Sequence, residues 1–346
     1  MIEGVCGVPY RGLGRSGELV DPDRPLQPHG SVLDEGVVAS RALPFEGLEP
    51  TQAEAPFRHG TNAWMVANGS VSYDGTHLLR YSQESCAVQG FEVDEPAIWG
   101  VVADDQAFYT TNAIDGAAHV RRRTMDGEIA AEALVPETLL SGLASGGDRL
   151  YAVGPLGEAE TERTVVITFD AATFEELDRI ELGDSRTPVS ALVHEGTLYL
   201  PAGATSDPDG SGQEVSTVDM VDVDTGEAGQ VDLGAASPYI VAGAEGWLVC
   251  THTFMNAPFR DMDAYGQVTV LDAATGEAST VDVGPGLRQI SVVGDELLVL
   301  TQQGEGDARL TRYVLADMSE LSSAQIPVPE GGEHYLSGVI AHLPGS

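Results

Sequence analysis

Short apolar runs of strand length, separated by turn residues, recur along nearly the whole chain. The order is clearest from Pro238 to Gln303: PYIVAGAEGWLVCTHT, an irregular acidic loop, GQVTVLDAATGEASTVDVG, then RQISVVGDELLVLTQQ. The runs are rich in β-branched and aromatic residues, which fit a pleated, half-buried surface, so they read as strands. Glu-Gly, Gly-Asp and Gly-Gly steps between them read as tight hairpins. Helical periodicity is nearly absent. Glu128–Leu140 is the one ambiguous window, and a strand-built unit covers it better.

The runs repeat. Units open at Trp64, Trp99, Ser141, Ser190, Tyr239, Ile290 and Ser337, between 35 and 51 residues apart. A repeat of roughly 40–50 residues holding four short strands has the length of a propeller blade. Later in the unit lies a second hairpin: VVITFDAATFEELDRIEL (165–182), VDMVDVDTGEAGQVDL (218–233) and VTVLDAATGEASTVDV (268–283). Its Asp can accept hydrogen bonds from the turn backbone, and Gly226 and Gly276 can take the positive φ that the reversal needs. Phe174 stands at the equivalent place in the first copy, so that turn must differ or carry strain.

These hairpins resemble the outer strands of the YVTN and PQQ-like repeat propellers, whose units carry a D-x-x-T-G turn of this kind. The resemblance is strong over about three blades, Val165–Val283, and implies a propeller fold. Quinoproteins place a Trp after the TG step. Here EAGQVDL and EASTVDV follow it, so the resemblance does not extend to a quinone cofactor.

The seventh unit stops after one strand. Ile2–Arg11 reads like the second strand of other units, and Ser31–Val37 and Ala39–Phe45 read as two more. The expectation is one all-β domain over residues 1–346, a single seven-bladed β-propeller of four-stranded antiparallel blades. Residues 1–46 would supply the closing strands of the last blade, joining both chain ends and leaving no free edge. The alternative makes the N-terminal stretch a flexible leader.

Charge narrows the partners. Net charge is −37 with a pI near 4.2, and all 17 basic residues are arginine. Nucleic acid and anionic membrane surfaces are poor partners for such a body. A lysine-free acidic chain fits adaptation to high salt, where screening removes carboxylate repulsion, and also fits a GC-rich genome. No 18-residue apolar run predicts a membrane span. The N-terminus lacks a signal-like charged-then-apolar pattern, which points to the cytoplasm, or to secretion if a leader has been removed. Cys6, Cys86 and Cys250 show no metal spacing, and Cys250 reads as a small core residue.

Two residue sets carry the candidate chemistry. The first gathers at the entries to innermost strands: Arg58, His59, Asn62, Glu95, Arg186, Arg288, His334 and Tyr335, with Asp94, Glu137, Asp184 and Glu333 beside them. Forked arginine hydrogen bonds among carboxylates suit an anionic or sugar-like ligand. The second lies in loops between second and third strands, where Asp21/Asp23, Asp207/Asp209 and Asp261/Asp263 are carboxylates at i, i+2. The DPDGSG run at 207–212 opens like a calcium loop, with Asp207, Asp209 and Ser211 as oxygen donors and Glu214 as a further one; Asp261 and Asp263 echo it. Val218 stands where a bidentate glutamate belongs.

The His194 and His252 imidazoles read as structural, and Arg121–Arg123 as a solvated edge. No G-x-S-x-G, phosphate-loop, CxxC or HExxH motif occurs. The expected function is therefore a non-catalytic module holding a small-molecule or protein ligand on one propeller face. The alternative is a lyase or hydrolase of a lactone or glycoside, with Glu95 or Asp184 acting alongside His334 or His59.

Overall fold

The computed structural model describes residues 4–11, 57–60, 62–67, 76–82, 87–93, 95, 98–136, 138–156, 163–183, 186–188, 190–205, 213–244, 246–252, 266–303, 308–326 and 334–342. Side chains of 4–11 and 334–342, and of several residues between 58 and 88, stay outside the description. All elements among the described residues are strands.

Six four-stranded antiparallel sheets follow one another, each with strands paired in chain order. Blade one is β2 (Phe57–His59), β3 (Asn62–Ala67), β4 (His77–Ser82) and β5 (Ala87–Glu92). Blade two is β6 (Gly100–Ala103), β7 (Ala107–Ile114), β8 (Ala117–Thr124) and β9 (Ile129–Pro136). Blade three is β10 (Gly142–Gly146), β11 (Arg149–Leu156), β12 (Arg163–Asp170) and β13 (Glu176–Glu181). Blade four is β14 (Leu192–His194), β15 (Thr197–Leu200), β16 (Thr217–Asp222) and β17 (Ala228–Asp232). Blade five is β18 (Pro238–Ala244), β19 (Trp247–His252), β20 (Gln267–Asp272) and β21 (Ala278–Asp282). Blade six is β22 (Leu287–Val293), β23 (Glu296–Thr301), β24 (Ala308–Val314) and β25 (Glu320–Ile326). The remaining sheet has two strands, β1 (Gly4–Arg11) against β26 (His334–His342).

The expectation of seven blades is thus corrected to six. The Ser337 run was expected to share a blade with strands from residues 1–46, but among the described residues its strand pairs with β1 alone, from Gly4↔His342 to Arg11↔His334. The expected strands at 31–37 and 39–45 lie outside the described residues. The first unit is corrected too. It opens at β2, not at Trp64, which sits on the second strand opposite Phe57. A three-residue FRH strand is too short to show alternation, so the longer apolar run after it was read as the opening.

The chain divides into two compact units, one comprising Met1–Pro96, Pro258–Gln267 and Val281–Ser346, the other Ala97–Ala257 and Val268–Thr280. In the second unit the core lies between neighbouring blades. Tyr151, Val153 and Val166 of blade three meet Leu198, Leu200 and Val221 of blade four. Tyr199 and Val218 of blade four meet Val241, Leu248 and Cys250 of blade five. Burial on both sides explains why β12 reads TVVITF, with six consecutive buried residues instead of alternation. Each large apolar side chain buried this way contributes about 1.5–3 kcal/mol. Inner strands approach closely where one residue is small: a Cβ on Gly146 would lie 2.9 Å from Val193 Cγ1 of the next blade. In the first unit, Leu298, Leu300, Leu310 and Ile326 fill blade six.

Cys250 is 1% exposed in the core between blades four and five, and burial pushes its thiol up to about 12. The arginine run corrects the reading of a solvated edge. Arg123 is 3% exposed, with Nε–H donating to Thr110 Oγ1 and Nη1–H to the Gly127 carbonyl. Desolvation lowers its pKa to about 10. Alternation along β8 sends Arg122 the other way, where Nη1–H reaches the Ala172 carbonyl of blade three.

Candidate functional site

The hairpins that carried the repeat also set the turn geometry. Asp170, Asp222 and Asp272 each accept the backbone N–H groups two and three residues on, at 2.6–3.1 Å. The residue at the fifth position then donates its N–H back to the first carbonyl, from Phe174, Gly226 and Gly276 alike, at 2.8–2.9 Å. All three have positive φ, 63°, 72° and 71°. Phe174 therefore keeps the glycine geometry and carries the strain. Its ring is 8% exposed and stacks on Phe169 at 5.4 Å and on Tyr109 of blade two at 6.3 Å. Tyr109 adds a second tie, its hydroxyl lying 2.7 Å from Asp104 Oδ2 and 3.0 Å from the Ala171 carbonyl. Blade six holds a fourth version with Met318 at φ 53° and Asp317 accepting from Ser319.

Of the strand-entry set, Arg186 sits deepest, at 2% exposure. Its backbone exchanges hydrogen bonds with Thr164 Oγ1 of β12, and its Nη1–H donates to both Thr217 Oγ1 and the Thr217 carbonyl. Asp219 Oδ1 lies 3.6 Å from the same nitrogen and accepts Gln230 Nε2–H at 2.8 Å. Thr217 and Asp219 share a face of β16, as residues two apart on a strand must. That i, i+2 polar pair inside an apolar strand was the signal available in the sequence for this partner. Arg186 is a blade-four fastening.

Arg288 is the second residue of β22, half-buried, with Nε–H donating to the Gln302 carbonyl at 3.0 Å. His334 and Tyr335 begin β26. Glu95 is 6% exposed on the connection from β5 to β6. Arg58 and His59 end β2 instead of preceding it, and Asn62 pairs with His59 across the β2–β3 turn. These three belong to the hairpin end of their blade, whereas Arg288 and His334 belong to strand starts. Asp94, Glu137, Asp184 and Glu333 lie outside the described residues.

Asp21, Asp23, Asp207, Asp209, Ser211, Asp261 and Asp263 also lie outside them. Bridges Arg186↔Thr205 and Ala204↔Glu214 close the base of the 207–212 loop. Glu214 accepts the Ser237 hydroxyl at 2.9 Å. Among the described residues, no three His, Cys, Asp or Glu are grouped to hold a metal ion.

His252 is 3% exposed and bonded at both nitrogens, Nδ1 to the Ala236 carbonyl at 2.9 Å and Nε2 to Thr269 Oγ1 at 2.7 Å. A carbonyl only accepts, so Nδ1 carries the proton and Nε2 accepts from Thr269. Thr269 Oγ1 in turn accepts from Thr280 at 2.8 Å. Desolvation holds this imidazole below its ordinary pKa. On blade two, His119 Nδ1 and Arg121 Nε both lie 2.8 Å from Glu132 Oε1. These bonds, that from His119 foremost, hold the Glu132 carboxyl below its usual range.

No family model and no curated protein matches this sequence. Among solved structures, the Pan2 WD40 domain of Neurospora crassa is similar with a TM-score of 0.57 at 12% identity, over 81% of this chain and 80% of that one. The fold is a β-propeller. Hydrazine synthase of Kuenenia stuttgartiensis gives a TM-score of 0.50 at 16% identity, over 68% of this propeller chain and 67% of the other. Identities this low establish fold alone. Among the described residues no helix is long and apolar enough to cross a membrane.

Proposed function

We propose that this propeller is a non-catalytic binding module of the YVTN/PQQ-like repeat kind, holding a ligand or partner at the strand-entry ends of its blades. The carrying observation is how the described polar groups are used. Arg186 and Asp219 fasten blade four, His252 is neutral and bonded at both nitrogens, and Glu214 anchors Ser237. Arg288, fixed at its Nε on Gln302, with Glu95, His334 and Tyr335, is the set proposed to meet an anionic small molecule or a protein carboxylate. A thermal-shift screen with sugar acids, lactones and glycosides tests it. The expected result is stabilisation that Arg288→Ala abolishes, without turnover. Turnover of a lactone or glycoside, lost in Glu95→Gln, would overturn it in favour of the enzyme reading, which the burial of Glu95 supports.

Calcium in the 207–214 loop is a second proposal, supported by the D-P-D-G-S-G pattern. A hundredfold excess of calcium over its Kd should add about 2.7 kcal/mol of stability. A melting temperature unmoved by calcium at low ionic strength would remove it.

A further inference from the structure

We propose that β9, the outer edge of blade two, is a docking strand for an extended polypeptide segment with a basic residue at the end that meets Asp126 and Glu128. An edge strand offers a row of unpaired N–H and C=O groups, and the matching ligand is another strand. Propeller edges are ordinarily kept short or charged. Here β13 carries Glu176, Asp178, Arg179 and Glu181, and β17 and β21 have five residues each. By contrast β9 has eight residues, IAAEALVP. It alone among the described edges exposes two large apolar side chains, Ile129 at 51% and Leu134 at 58%.

Charge selects the occupant. The one acid of β9, Glu132, is bonded by His119 and Arg121 of β8, so the middle of the edge is locally neutralised. The other arginines of β8 point elsewhere, Arg123 into the blade and Arg122 to blade three. Exposed acids stand at its start instead: Asp126 and Glu128 precede β9. A second copy on this edge would have to bring together two bodies of charge −37 each. An apolar strand with a basic residue at the end facing Asp126 and Glu128 meets the same edge with complementary charge. Leu134 supplies the side-chain contact near the centre, and the backbone supplies the register.

The inference goes beyond the entry-end reading, and the two fail separately because Arg288→Ala leaves this binding unchanged. The probe is an octapeptide of alternating valine and threonine with one arginine added at each end, followed by fluorescence anisotropy. The intact chain should bind it, and Leu134→Glu should weaken binding at least tenfold with an unchanged melting temperature, since this side chain is mostly exposed. Alternate N-methylation of the peptide should remove binding, because it removes the backbone donors. No binding by the intact chain, equal binding by Leu134→Glu, or equal binding of the N-methylated peptide overturns the proposal. Concentration-dependent dimerisation lost in Leu134→Glu would assign the edge to a second copy, and overturns it as well.

Discussion

Replacing Phe174 separates two opposed terms at one position. Removing the ring forfeits the stacking on Phe169 and Tyr109 and the burial of a side chain only 8% exposed. Phe→Ala at buried sites costs about 3–5 kcal/mol, and this turn position belongs at the lower end, about 3 kcal/mol. Alanine keeps the Cβ, so the strain at φ 63° stays. Glycine loses the same ring but relieves that strain, worth about 1–2 kcal/mol, less a backbone entropy cost of roughly 0.5–1 kcal/mol. Phe174→Gly should therefore be more stable than Phe174→Ala by up to about 1.5 kcal/mol, the reverse of the usual order at φ below zero. Both variants should be less stable than the parent, because packing outweighs strain. Urea unfolding of the three proteins gives the differences directly from the midpoints at constant m. Gly276→Ala is the mirror test: φ is 71° with nothing within 4 Å of the added Cβ, so its cost reports conformation alone. If Phe174→Ala equals or exceeds Phe174→Gly in stability, the strain assigned to this turn is absent and the reasoning fails.

Three further outcomes follow from the buried polar groups and the charge. His252 titrates in the unfolded chain near its ordinary value, about 6.5, and lower when folded. The unfolded state therefore binds more protons between the two values. Its stability contribution is full above about pH 6.5 and lost as pH falls toward the folded value; an acid-side slope identical in His252→Asn would refute this. Arg186→Met should cost about 3–5 kcal/mol by leaving the Asp219 charge buried without its cation. Arg186→Met with Asp219→Leu should recover part of that, and a double variant no better than the single one would show that the pair is not the unit. Stability should rise from low to molar KCl as repulsion within a chain of charge −37 is screened, and a flat or falling melting temperature would end the high-salt reading.

Blades three to five were legible because their strands alternate or run fully apolar between strong turn signals. The DAATFE, DVDTGE and DAATGE turns have the hydrogen bonds their residues imply. The fourth version escaped notice. In VLADMS a Val stands where the turn Asp belongs and a Met where the Gly belongs, so only backbone geometry reveals the match. Blade one was misregistered because β2 spans three residues, two of them polar. The seventh blade was inferred from the Ser337 run and three strand-like runs at the N-terminus, and runs so far apart in sequence carry no turn signal that says which of them pair. The arginine run was misread because alternation along a strand gives two faces and does not say which of them is buried. A guanidinium can be buried when carbonyls and hydroxyls take its protons, as Gly127 and Thr110 do for Arg123.

The candidate site was less legible for a related reason. Acids are so frequent in this chain that Asp at i, i+2 from another polar residue cannot by itself mark a ligand. Asp170, Asp222, Asp232 and Asp317 are all held below the usual carboxylate range, with turn N–H or hydroxyl donors as the leading cause. Bonds of that kind are local, are made within three residues, and recur wherever a hairpin turns. The informative carboxylates are those whose partners are distant in sequence. Asp219 meets Arg186 from 33 residues away, and Glu214 meets Ser237 from 23. The first fastens the entry of blade four to its own third strand, and the second ties blade four to the entry of blade five. Arg288, the described arginine of the proposed ligand set, is likewise tied to a distant partner, its Nε–H donating to the Gln302 carbonyl from 14 residues away, so that edge of its guanidinium is positioned before any ligand arrives.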